Sequence, residues 1–298
     1  MTSQAATAPM ATSATQARTV KQHPPKRDWV NLGFLVWGIG VYIFLFLPIL
    51  IIVAYSFNTG RALLAFTSFG FTSFSNALTQ TEITGPVKVS LISAIGASIL
   101  ATFIGTLAGI ALARRPGKWT VGFVVLLALV LVTPEIVDGI SLLLWFTKLG
   151  TVMGSGYTRL WVGTSLFAIA VVTLIVRARM SGLDESLEEA ASDLYATPWN
   201  RFRQITLPLV MPAVISGLLL SFSLSLDNTI IAQFVSKPGV GPWPVYVWGS
   251  LRQVLRPEIA AMSTMMMLLT LFALVVTALV LRRSGESSTA IATTVAGG

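Results

Sequence analysis

Three carboxylates, Glu135, Asp138 and Asp227, stand inside apolar stretches, "TPEIVDGISLLL" (133–144) and "LSFSLSLDNTIIAQFV" (220–235). An ionised carboxylate in hydrocarbon costs about 2.5–3.5 kcal/mol on insertion scales, so such a group normally faces a bundle interior or an aqueous cavity. Its chemistry there is charge compensation, because an ammonium group leaving water for low dielectric needs an anion beside it. Glu135 lies 16 residues beyond Trp119, near the inner end of its apolar run, which is about 24 Å along an unbroken helix. Asp227 lies 19 residues beyond Pro208, or about 28 Å. The spacing predicts two carboxylates at similar depth in the outer half of a membrane, on different helices, with Asp138 one turn beyond Glu135 on the same face. Asn228 adjoins Asp227, and Trp145, Phe222, Tyr246 and Trp248 could add cation–π contacts. Two plainer roles stay open: Glu135 and Asp138 at the outer interface, and the aromatic residues as interfacial anchors.

The elements that must hold these groups are membrane helices. Mean hydropathy is +0.78 and only 11% of residues are charged, where a soluble domain carries roughly a quarter. A span needs about 20 apolar residues, and six runs qualify, at about 31–55, 88–113, 119–147, 158–176, 207–235 and 259–281. The third and fifth are long and carry polar interruptions, so each is either a kinked span or a span followed by a short outer helix. Residues 1–28, rich in Ala, Thr, Ser and Gln, predict a disordered tail. Residues 29–283 predict one six-helix domain with a cytoplasmic loop at 177–207, and 284–298 a second tail.

The net charge of +8 comes from basic residues at the ends of apolar runs, not from a solvated basic face. That pattern belongs to membrane topology and not to a nucleic-acid partner. With both termini inside, 13 of the 20 Lys and Arg residues are cytoplasmic, and so is the 177–207 loop. Cysteine is absent and the single histidine, His23, sits in the polar tail, so neither thiol chemistry nor a metal site is expected. No G-x-x-x-x-G-K-[ST] phosphate loop, G-x-S-x-G elbow or H-E-x-x-H pair occurs. The chain is therefore expected to hold no catalytic residues and not to hydrolyse ATP itself, so that energy would come from a partner docked on the acidic loop helix.

The loop itself reads "SGLDESLEEAASDLYATPWNRFRQITLPLVMP" (181–212). Leu183, Leu187, Ala190, Ala191 and Leu194 recur at helical spacing, opposite Asp184, Glu185, Glu188, Ser192 and Asp193. An amphipathic helix lying on a membrane is usually basic on its polar face. This one is acidic, which suits docking to a cytoplasmic protein. Pro198 should stop helix geometry at Thr197. Pro208 reads as the entrance to the fifth span and Pro212 as a kink.

The stretch "EAASDLYATPWNRFRQITLPLVMP" resembles the coupling-loop signature of binding-protein-dependent ATP-binding-cassette importer permeases. Glu189, Ala190, Ala191, Leu207 and Pro208 match it. Residues 89–114, 133–144, 220–239 and 256–269 are similar to the spermidine/putrescine permease subfamily, chiefly its C-type subunit. The resemblance implies an all-α type I importer permease with six transmembrane helices in a bacterial cytoplasmic (inner) membrane, and polyamines as cargo. It implies as partners a homologous second permease, an ATPase dimer that carries the ATP and Mg2+, and an external substrate-binding protein. The helix around Glu188, Glu189 and Asp193 would sit in a cleft of the ATPase. Two positions depart from the pattern. Tyr195 replaces the motif's glycine, so that the loop either strains at positive φ or continues helically with Tyr195 as an extra contact. Asn228 stands where a second acidic residue is common. A permease for a ferric, amino-acid or anionic cargo stays open as an alternative. So does an ion-coupled transporter using Asp227 or Glu135 as proton relays, although no inverted repeat supports it.

Overall fold

The structure is a computed structural model that describes residues 29–60, 65–115, 117–150, 154–252 and 256–283. The readings made on the two tails, including His23, lie outside the described residues. The chain separates into two units, 1–49 and 50–298. In the first, described from Trp29, the chain enters α1 (Trp29–Ser56), whose apolar residues Phe34, Trp37 and Phe44 are exposed.

The second unit is a helical bundle centred on α3 (Thr81–Arg114), α6 (Gly156–Ser181) and α9 (Leu207–Asp227). Ala97, Ala101, Gly105 and Gly109 recur every fourth residue along α3 and are all buried. Small residues at that spacing let helix backbones approach closely where lipid supplies no hydrophobic drive. At Gly109 a Cβ would lie 2.8 Å from the Thr173 carbonyl of α6. The other long helix of this unit, α12 (Pro257–Arg283), packs against α9 and against the short α2 (Thr72–Thr79). A further short helix, α11 (Trp243–Ser250), is pinned to α3 by a buried bond from the Trp243 amide to Ser90 Oγ at 2.7 Å.

Among the described residues, five helices are long and apolar enough to cross a membrane, and a sixth crossing follows if one bent pair is counted as a span. That pair is the third predicted run. It breaks into α4 (Lys118–Val132) and α5 (Glu135–Leu149), bent by 104°. Pro134 lacks the amide that would continue α4, and Thr133 before it is extended, with φ −63° and ψ 130°. Glu135 therefore opens a new helix, and the 24 Å ruler along an unbroken one does not apply.

The fifth run departs at both ends. Helix geometry starts at Pro198 in α8 (Pro198–Arg201), capped by Thr197, passes through a five-residue π turn (Phe202–Thr206) and enters α9. Pro208 and Pro212 both lie inside this run and not at its start. In the π turn the Leu207 amide bonds to the Phe202 carbonyl. Pro208 has no amide to continue the usual ladder one residue later. At the far end α9 stops at Asp227, and "IIAQFV" forms a separate short helix, α10 (Ile230–Val235), packed against α5.

Candidate functional site

Glu135, Asp227 and Asn228 line one cavity of about 520 Å³, together with Thr164, Ser223 and Thr229. Each carboxylate stands at a helix end: Glu135 is the first residue of α5 and Asp227 the last of α9. Asp227 and Thr229 also border a second cavity of about 420 Å³ with Trp243, Trp248 and Met266. Asp227 thus stands where an acidic compartment meets one with indole walls. Such a wall accepts cations over its face and methylenes along its edge.

The remaining expected residues are placed differently. Asp138 lines neither cavity and joins Glu135 in the first turn of α5, where carboxylates are favoured by the helix dipole. Trp145 also lines neither cavity; it is half exposed, with its ring 5.6 Å from Phe146. Tyr246 stacks on Trp243 at 5.3 Å. Asn228 does local work, since its Oδ1 accepts the amides of Ile231 at 3.1 Å and Ala232 at 3.4 Å and so caps α10. Ser223 is a cavity residue that its type alone did not announce. Its Oγ is buried without a hydrogen-bond partner among the described residues.

In the 177–207 loop, the amphipathic helix is α7 (Ser186–Asp193), in which no residue is fully buried. Its start is held by the Ser186 amide donating to Asp184 Oδ1 at 2.9 Å, which keeps that carboxyl below the usual carboxylate range. Its end is a closed turn: the Tyr195 amide bonds to the Ser192 carbonyl at 2.9 Å and the Ala196 amide to the Ala191 carbonyl at 3.0 Å. Tyr195 sits in that turn with φ 58°. The turn therefore forms without the motif's glycine, and the chain does not continue helically. Glu189, Ala190, Asp193, Leu194 and Tyr195 are all exposed, and Leu207 and Pro208 lie in the first turn of α9. Glu188 points the other way. Its Oε1 accepts from Thr206 Oγ1 at 2.8 Å, and its Oε2 lies 3.2 Å from Arg114 Nε.

A bent helix pair, carboxylates at interrupted helix ends and an exposed amphipathic helix before the next span are the features that accompany a family match. The chain belongs to the family of binding-protein-dependent transport system inner membrane components, whose match covers residues 105–285. Among curated relatives, it is 38% identical over 232 residues to the putrescine transport system permease protein PotI of Escherichia coli strain K12, covering 76% of this chain and 82% of that one. It is 33% identical over 246 residues to the spermidine/putrescine transport system permease protein PotC of Haemophilus influenzae, covering 83% and 95%. The fold matches a chain of a bacterial ABC transporter involved in the import of the acidic polysaccharide alginate, with TM-score 0.61 and 16% identity, over 85% of this chain and 98% of that one. The chain is thus a permease subunit of a binding-protein-dependent transport system by family, and shares the fold of that chain.

Proposed function

We propose that this chain forms half of the translocation path of an ATP-driven polyamine importer, with putrescine or spermidine as cargo. The observation that carries the cargo is the single cavity lined by Glu135 and Asp227. Two anions spaced along one compartment suit an elongated cation with charge at both ends. Ser223 and Thr229 supply neutral acceptors, and Trp248 lies against the methylenes in the adjoining compartment. The names of the curated relatives support the same cargo.

The assembly that fits this role holds a homologous second permease, an ATPase dimer binding ATP and Mg2+, and an external substrate-binding protein. It sits in a bacterial cytoplasmic membrane with both termini of this chain inside. The exposed residues of α7 and its closing turn, from Glu189 to Tyr195, engage the ATPase. When the ATPase closes on ATP, α7 moves and the two permeases rock to open the cavity to one side or the other.

The test is uptake of labelled putrescine and spermidine by cells in which this system is the sole polyamine importer. Asp227→Asn is expected to lower uptake of both at least tenfold. Asn228→Asp keeps an acceptor for the α10 amides and adds a charge, so it should shift preference toward the more highly charged spermidine. Uptake unaltered by Asp227→Asn would rule out a polycation at this site.

A further inference from the structure

Two adjacent glutamates of the cytoplasmic loop have opposite surroundings. Glu189 is exposed, and its side chain makes no hydrogen bond or ion pair among the described residues. Glu188 is turned into the chain, with 25% of its side chain exposed. Its Oε1 accepts from Thr206 Oγ1 at 2.8 Å and from Arg114 Nη2 at 3.3 Å, and its Oε2 lies 3.2 Å from Arg114 Nε. Arg114 is itself only 15% exposed and takes a second carboxylate, Glu185 Oε1, at 2.9 Å. A pair this far withdrawn from water is screened less than a surface pair.

The positions of these groups in the chain matter more than their number. Arg114 is the last residue of α3, the helix at the centre of the bundle. Thr206 is buried at the end of the π turn that leads into α9. One carboxylate therefore ties α7 to two membrane helices. Apolar packing cannot do this, because α7 has no fully buried residue and its one leucine, Leu187, is exposed.

We propose that Glu188 is a positioning residue that clamps α7 to the inner ends of α3 and α9, so that displacement of α7 is delivered to both spans. Glu189 and the exposed residues after it are thereby left to the partner. This rests on the reading of α7 as the element that the ATPase engages.

The test uses the assembled complex with its ATPase in lipid nanodiscs. Because this chain has no cysteine, spin labels at Leu187→Cys on α7, outside the Glu189–Tyr195 segment, and Leu107→Cys on α3 report one distance. The wild type should give a narrow distribution. Glu188→Gln and Arg114→Gln should each broaden it, and the double variant should be no broader than either alone. All three should keep the ATPase bound, while cargo moved per ATP hydrolysed falls at least threefold. The clamp is overturned if Glu188→Gln leaves the distance distribution unchanged, if the two single effects add, or if Glu188→Gln releases the ATPase as Glu189→Arg is expected to. The distance needs neither nucleotide nor cargo, so it tests the clamp separately from the coupling role of α7.

Discussion

At the scale of single residues, Tyr195 carries a conflict between backbone and contact. A non-glycine residue at φ 58° costs about 1–2 kcal/mol through the clash of Cβ with its own backbone. Tyr195 is 96% exposed, so no contact among the described residues offsets that cost. The residue is useful if the ring meets another protein. Tyr195→Gly is therefore expected to leave the melting temperature of the purified complex unchanged or slightly higher while lowering ATPase stimulation by the loaded binding protein. A variant that lost both together would show that the ring stabilises this chain. Asn228 illustrates a similar economy, since one side chain caps α10 and lines the cavity.

At the scale of elements, the close approach of α3 to α6 depends on side chains that are absent. A Cβ at Gly109 would meet the Thr173 carbonyl at 2.8 Å and Val176 Cβ at 2.9 Å, whereas one at Gly122 would meet nothing within 4 Å. Overpacking of this kind costs about 1–3 kcal/mol. Gly109→Val should lower the midpoint of thermal unfolding in detergent by several degrees, and Gly122→Val should not. The spans were legible in the sequence, because their length follows from apolar run length. The break at Thr133–Pro134 was legible only as an interruption, since a proline in an apolar run can kink or end a helix, and neighbouring helices decide which. The inward turn of Glu188 was not legible. Periodicity assigns a residue to a face, but what lies across that face here is Arg114, 74 positions away.

At the scale of the whole molecule, the distribution of charge and the position of the loop define two sides. Lys148 closes α5 on the side assigned to the exterior, and Ser192 is exposed on α7. In a chain without cysteine, Lys148→Cys should react with an impermeant maleimide in intact right-side-out vesicles and Ser192→Cys only in inverted ones. Labelling of both from one side would overturn the proposed orientation. The π turn between α8 and α9 has a further consequence, in terms of which changes of length the chain can tolerate. A polar loop next to the membrane is ordinarily where insertions and deletions are accepted most readily. Here helix geometry runs unbroken from Pro198 to Asp227, and each residue of an α-helix turns the axis by about 100°. The π turn at 202–206 already holds one residue more than an α turn, so a further residue inserted in α8 would turn the loop before it by about that angle relative to the span and carry Glu188 away from Arg114. In this protein the length of that polar stretch is as constrained as the packing of the core.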